Sequence, residues 1–426
     1  MIPFLIGTFL AKVALGGVIA TSLLFSAILY MVVTGRTEWT ILSLKMLTGL
    51  DSFPLLAVPF FVLAGELMNR AGITEALADL SAALVGRIRG GLAHVDVVTG
   101  MFMAGISGSA SADSAALTSI FTPAMERVGY PRPFGAAISA CAGAIGPIIP
   151  PSIFMVVYGA LGNVSVGRLF LGGAVPGVMM GLGLMAYTYV LARRRGYGAL
   201  TERITAAEFL VRLRRAAFPL TIPLIIIGGI VGGVVTPTEA GVLAVAAILV
   251  IGVLATRQLS IAGCIAALKS TVLTLGAVMF ICSAANIFAW ILGIERMGEH
   301  LSGLLLSLTS SPAVMLLIIN LILLVLGCLL DAMAMLIVLT PILVPVMVSL
   351  GIDPVHFGVI FVLNLTIGLL TPPYGVVMFI SSAIARVTIK EFVIEGWPMI
   401  LVLVVVLFLC VYVPSLVLFV PHLLMP

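Results

Sequence analysis

Two pairs of segments carry residue types suited to ion chemistry. Residues 105–113 read GISGSASAD and residues 146–152 read GPIIPPS; in the second half, residues 327–331 read GCLLD and residues 368–373 read GLLTPP. A proline has no amide to donate and pushes the residue before it out of helical geometry, so a Pro-Pro pair inside an apolar run unwinds a helix. Carbonyls freed there are costly in hydrocarbon unless they line a cavity or hold a cation. Together with serine and threonine hydroxyls they are hard oxygen ligands for an alkali ion, and the helix N-termini created at such breaks favour an anionic group. Asp113 and Asp331 end the two glycine-containing tips. An ionisable residue at membrane depth is a functional candidate by default, but a carboxylate in the first turn of a helix is equally a structural cap. The sequence leaves both roles open.

The four segments recur in one order. Thr122-Pro123 follows Asp113 by nine residues, as Thr340-Pro341 follows Asp331; Phe134-Gly135 and Phe357-Gly358 come next, and the Pro-Pro pairs follow 16 and 15 residues after each Phe. Such internal symmetry is the trace of a duplicated half; sequence does not show the relative orientation of the halves, and they are read here as two inverted repeats, with a purely structural duplication in parallel repeats as the alternative. The first covers 1–192, with a re-entrant hairpin at about 92–125 and a broken helix at about 134–160. The second covers 216–426, with a hairpin at about 313–345 and a broken helix at about 356–386. Arms of about 92–104 and 115–125 around the first tip are short for a full crossing, which favours re-entry.

Composition fixes the setting. Of 426 residues, 62% are hydrophobic and 9% charged, against about 25% charged in soluble domains. A soluble enzyme is excluded, and runs apolar on every side exclude a barrel of alternating strands. The expected fold is an all-α polytopic membrane protein. Seven of the 21 basic residues (Arg193, Arg194, Arg195, Arg203, Arg212, Arg214, Arg215) fall within 193–215, which reads as a basic connector on the cytoplasmic side. The net charge of +4 gives no reason to expect nucleic acid. Cys141, Cys264, Cys282, Cys328 and Cys410 lie in apolar stretches without metal spacing, so disulfides and zinc are not expected. The histidines are scattered. Glu66 and Asp96 read as interfacial, and Glu239 as the N3 partner of a capping box begun by Thr236. The first apolar run lacks a basic start and a small-residue cleavage site, and is read as a retained helix.

These segments, with residues 52–65 (SFPLLAVPFFVLAG) and 233–240 (GVVTPTEA), resemble the large membrane subunit, DctM type, of tripartite ATP-independent periplasmic (TRAP) transporters. The likeness covers nearly the whole chain; residues 16–20 (GGVIA) depart from the proline-containing start of that family. The resemblance implies a secondary transporter of the bacterial inner membrane that imports an organic acid by an elevator motion, with Na+ as coupling ion and no cofactor. It implies two partners, a small four-helix membrane subunit and a periplasmic substrate-binding protein. Carried over by position, it puts a first sodium site on Ser107, Gly108 and Ser109 facing Gly146, Ile149 and Pro151. A second falls on Gly327 facing Gly368, Thr371 and Pro373, with substrate between the two. The tip, and not Asp113, is expected to hold the first ion.

Two other readings compete: a binding-protein-independent anion symporter or exchanger, and an intramembrane aspartyl protease whose two carboxylates share a proton. Against the protease, Ala112-Asp113 and Leu330-Asp331 lack the Gly-x-Gly-Asp context of such enzymes, so no enzymatic activity is expected. The acid carried is not legible: a C4-dicarboxylate, a sialic acid and other sugar or keto acids all remain open.

Overall fold

Apolar runs punctuated by glycine and proline fold as helices whose ends fall at that punctuation. The computed structural model describes residues 1–35, 39–199, 205–255, 259–297, 300, 303, 309 and 311–425; among these every regular element is helical. In chain order they are α1 (Ile2–Ala14), α2 (Ile19–Val33), α3 (Trp39–Thr48), α4 (Ala57–Arg70), α5 (Ile73–Val85), α6 (Gly91–Ser107), α7 (Ala110–Arg127), α8 (Arg132–Gly143), α9 (Ile153–Gly162), α10 (Val166–Arg195), α11 (Ala206–Val231), α12 (Pro237–Leu249), α13 (Ile261–Ile294), α14 (Pro312–Gly327), α15 (Ala332–Ser349), α16 (Pro354–Gly368), α17 (Val376–Ala385), α18 (Ile389–Tyr412) and α19 (Ser415–Leu424). A 3₁₀ turn at Phe53–Leu56 precedes α4, and a π-helical stretch at Val250–Ala255 follows α12. Among the described residues five segments are individually long and apolar enough to cross a bilayer: Phe53–Arg70, Val166–Arg195, Ile261–Ile294, Ala332–Ser349 and Ile389–Tyr412.

The internal symmetry extends into tertiary contacts. In each repeat a hairpin (α6–α7, α14–α15) packs on a helix that breaks and resumes (α8 then α9, α16 then α17), and a long helix follows (α10, α18). The repeats interlock: α17 lies on α7 as α9 lies on α15, and α18 lies on α8 as α10 lies on α16. The correspondence reaches single residues. Both breaks carry a cis Pro-Pro bond, at Pro150-Pro151 and Pro372-Pro373, and α9 and α17 end in left-handed residues, Asn163 and Arg386, each at φ 54°. Ser165 and Thr388 then cap the next helix. The two central helices are buried on all sides, α8 from Phe134 to Gly143 and α16 from Val355 to Gly368. Around this core, α1–α4, α12 and α13 pack chiefly on one another, while α11 lies between α12 and α5 and reaches α6 and α10.

The two hairpins open toward opposite ends of α10. At its C-terminal end, the Gly198 carbonyl just beyond α10 accepts from the amides of Gly90 and Gly91, where the first hairpin begins. At its N-terminal end, Gly162 of the preceding α9 faces Thr340 and Val344 in the later part of α15, and Tyr158 donates to the Pro354 carbonyl at 2.8 Å, beside the base of the second hairpin. The repeats are therefore inverted.

Three expectations need amendment. The arms of the first hairpin are 17 and 18 residues long, because Gly105–Ser107 stay helical and only Gly108 and Ser109 leave the helix. Gly108, at φ +60°, supplies the left-handed reversal that L side chains disfavour, and Ser109 caps α7. The basic stretch 193–215 is largely helix ends, α10 running to Arg195 and α11 starting at Ala206; Arg203 lies outside the described residues. The third concerns the surroundings of Asp96. It is fully buried between α6 and α8, where it accepts a 2.6 Å bond from Ser139, because residues 43 apart in sequence meet across the hairpin and the central helix.

Candidate functional site

The first tip docks on the first break. A β-carbon on Gly108 would stand 2.6 Å from the Pro151 carbonyl oxygen, and one on Gly65 of α4 would stand 3.2 Å from the Ser107 carbonyl oxygen. Backbone approaches this close are open only to glycine. The break itself is tied by Ser152, which donates to the Pro147 carbonyl at 2.5 Å while accepting from the Met155 amide as the cap of α9. The sequence signal for Ser152 was its place directly after the Pro-Pro pair, at an N-cap position.

Inside this contact lies Asp113, 0% exposed. It sits four residues into α7 and does not cap it; Ser109 does, accepting from the Ala112 amide. Asp113 Oδ1 instead accepts from Ser107 at 2.5 Å, and Ser107 Oγ in turn accepts from the Ser109 amide at 3.1 Å. Asp113 Oδ2 points at Gly146, whose β-carbon would lie 2.8 Å away, and has no hydrogen-bond partner among the described residues. A buried carboxylate oxygen without a donor is costly unless a cation or proton satisfies it. The donor set here, a carboxylate, serine hydroxyls and break carbonyls, is that of a hard cation. Ser107, Gly108, Gly146 and Pro151 thus converge with Asp113. Ile149 is set apart, its side chain packing on Gly177 of α10. Gly143, which sequence reading did not single out, backs onto Ser114 of α7, where a β-carbon would meet the Ser114 amide nitrogen at 2.4 Å.

The second tip meets the second break differently. Gly327 and Gly368 touch backbone to backbone, a β-carbon on Gly368 standing 2.7 Å from the Gly327 carbonyl oxygen. The Tyr374 amide donates to the Cys328 carbonyl at 3.0 Å and Thr371 donates to the Ile367 carbonyl at 2.7 Å. Asp331 is the N-cap of α15, its Oδ1 accepting from the Ala334 amide at 3.0 Å. The two aspartates therefore have different roles despite matching positions in the repeat. Pro373 and Tyr374 are exposed, so this contact opens to the surface, whereas Gly146 and Pro151 are buried. Among the described residues no hydrogen bond joins Asp113 to Asp331, and nothing pairs them as a protease dyad.

Beside the first tip is a cavity of about 330 Å³ of mixed lining, with Ser109, Ser111, Glu66, Asn69 and Thr274 contributing polar groups and Val62 and Ile153 apolar ones. Glu66 was expected at the interface; it is half-buried and faces this cavity, accepting from Ser270 of α13 at 2.9 Å. It was missed because α13 lies more than 200 residues away in sequence.

Comparison with known proteins gives this geometry a context. The crystal structure of the YdaH transporter of Alcanivorax borkumensis shares the fold, with a TM-score of 0.60 over 88% of this chain and 87% of that one at 18% identity. The large permease protein SiaM of the Vibrio cholerae sialic acid TRAP transporter is 39% identical over 402 residues, 94% of each chain. The large permease protein DctM of the Pseudomonas aeruginosa C4-dicarboxylate TRAP transporter is 38% identical over 382 residues, 89% of each. The isethionate TRAP transporter permease DctMQ of Oleidesulfovibrio alaskensis is 39% identical over 98% of this chain, which spans 66% of that relative's length. The family model for the DctM component of tripartite ATP-independent periplasmic transporters matches residues 6–416. The inverted hairpins, the paired helix breaks and this match over nearly the whole length agree, and the chain belongs to the DctM family of multi-pass TRAP transporter permeases.

Proposed function

We propose that this chain is the large membrane subunit of a sodium-coupled transporter that brings an organic acid into the cell across the bacterial inner membrane. The observation that carries the reading is the Asp113 oxygen, fully buried and without a donor, at the contact of hairpin tip and helix break. Sodium there completes its coordination; the second ion takes the Gly327–Gly368 contact with Thr371 and Pro373. The relatives are named for sialic acid, C4-dicarboxylate and isethionate, all of them anions, which supports an acid as cargo. The interlocked hairpins and broken helices move as one body past α1–α4, α12 and α13, an elevator motion supported by the packing of these outer helices chiefly on one another. A small membrane subunit extends the outer layer and a periplasmic binding protein delivers the acid; the DctMQ relative, whose name joins two components, supports the first.

Uptake into proteoliposomes tests this. With the chain, its membrane partner, a loaded binding protein and an inward sodium gradient, uptake is expected; omitting any one of these reduces it to background. Uptake by the chain alone would instead favour a binding-protein-independent symporter.

Orientation follows from the arginines. Arg87, Arg89, Arg127 and Arg132 stand at the open end of the first hairpin, the end of α10 that carries Arg193, Arg194 and Arg195, and an excess of arginine marks the cytoplasmic face. A membrane-impermeant maleimide is expected to label Arg89→Cys and Arg127→Cys from the cytoplasmic face, and Ala313→Cys and Ser349→Cys from the periplasmic face. Labelling of the two members of either pair from opposite faces would show that hairpin to be a simple crossing.

A further inference from the structure

The first arm of each hairpin is tied to the central helix beside it by a buried polar pair. In the first repeat Ser139 of α8 donates to Asp96 of α6. In the second the pair is Asn320 of α14 and Asn364 of α16, both 0% exposed. The Asn364 Nδ2 donates to the Asn320 backbone carbonyl at 2.9 Å and to the Asn320 Oδ1 at 3.1 Å, while the Asn320 Nδ2 donates to the Leu316 carbonyl at 2.8 Å. Asn364 Oδ1 is buried and has no hydrogen-bond partner among the described residues. The surroundings are apolar: Leu316, Ile319 and Leu323 of α14 are buried, as is α16 from Val355 to Gly368.

Stability does not account for such a pair. Two apolar side chains of similar shape would bury there without leaving an amide oxygen unpaired. The first repeat needs no amides at the matching place: Ala142 precedes its Pro-Pro pair by eight residues, as Asn364 does. Ala142 meets Gly100 of α6, where a β-carbon would stand 2.9 Å from the Ala142 carbonyl oxygen. What a buried asparagine pair supplies is register, because apolar helix faces can slide past one another whereas a slip breaks the bonds between amides. Register has a consequence at this contact. Asn320 stands seven residues before Gly327 and Asn364 four before Gly368, so each asparagine shares a helix face with one of the two glycines that touch.

We infer that Asn320 and Asn364 are positioning residues for the second ion, setting the register at which the Gly327 carbonyl meets Gly368. The inference rests on the transporter reading above and adds to its second site two residues that act through the glycine contact. A slip of one helical turn, about 5.4 Å, carries the Gly327 carbonyl off Gly368 and parts the tip from the break that holds Thr371.

The test is a sodium titration of uptake into proteoliposomes that hold the chain, its membrane partner and a loaded binding protein, with melting temperatures measured alongside. The double variant Asn320→Leu, Asn364→Leu removes both amides and leaves neither unpaired. Its melting temperature is expected to equal or exceed that of the unaltered protein, while the sodium concentration for half-maximal uptake rises at least about tenfold. Asn364→Ala, which brings in the residue of the matching position in the first repeat, is expected to raise the sodium requirement in the same direction. A pair that only held two helices together would do the reverse, lowering the melting temperature with the sodium requirement unchanged. An unchanged requirement in both variants overturns the inference while leaving sodium-coupled transport standing. Absence of sodium-driven uptake in the unaltered protein overturns the transporter reading, and the inference with it.

Discussion

Asp113→Asn is expected to raise the sodium concentration needed for half-maximal uptake by a factor on the order of 100 while leaving a folded protein. Asparagine keeps an acceptor for Ser107 and adds little volume, so the tip geometry is retained. What is lost is the negative charge on a fully buried oxygen directed at Gly146. Removing one partner of a buried charge pair costs about 3–5 kcal/mol, and about 2.8 kcal/mol already corresponds to 100-fold in affinity. The matched control is Asp331. Because it caps α15, Asp331→Asn is expected to be nearly silent, and Asp331→Ala to lower stability by about 1 kcal/mol with sodium dependence unchanged. Sodium titrations of uptake, with melting temperatures for each variant, separate the two aspartates. An unchanged sodium requirement in Asp113→Asn would return the ion to the serine hydroxyls and backbone of the tip.

The second large effect is expected at Gly108. Alanine there must adopt φ +60° and place its β-carbon 2.6 Å from the Pro151 carbonyl oxygen. Neither group can give way easily, because one belongs to the hairpin reversal and the other to the backbone of the break. The left-handed conformation alone costs roughly 1–2 kcal/mol, and relieving the contact by moving tip and break apart costs about 1–3 kcal/mol more. Gly196 separates the two causes. It has φ +74° at the end of α10 with nothing within 4 Å of a β-carbon, so Gly196→Ala carries the conformational cost without the contact. Both variants are expected to lose thermal stability, Gly108→Ala the more, but only Gly108→Ala is expected to weaken sodium-dependent uptake, by about tenfold or more. Equal uptake by the two variants would mean that the tip does not need to touch the break.

If both effects appear, the first site works by close backbone approach around a buried carboxylate. Ser107 then has two tasks, fixing one Asp113 oxygen and lining the cavity beside the tip. The second site has no equivalent: its aspartate is engaged at the helix start, and its tip offers Cys328 and Leu329 where the first offers Gly108 and Ser109. The two proposed ion sites therefore lie at unequal depth.

Much of this protein is written in local sequence. Helical class follows from apolar runs that only a helix or a closed barrel can satisfy in hydrocarbon, and the breaks follow from Pro150, Pro151, Pro372 and Pro373, which lack amides wherever they are placed. The hairpin reversal at Gly108 and the cap at Ser109 are equally local, since a positive φ and a hydroxyl at the helix start are properties of those residues alone. The repeat was legible for a related reason: its glycine tips and Pro-Pro pairs are local breaks, and Thr-Pro and Phe-Gly, which stay inside helices, recur between them in the same order. Tertiary structure decided what the markers face. Asp113 and Asp331 stand the same distance before Thr-Pro, yet α7 begins a turn earlier relative to its aspartate than α15 does. That places Asp113 inside the helix, turned toward Gly146 of a different element, and leaves Asp331 at the helix start as a cap. Asp96 against Ser139 and Glu66 against Ser270 were hidden likewise. Each of these polar residues gains its role from a partner supplied by a distant helix, and neither periodicity nor spacing along one segment records which distant helix will pack there.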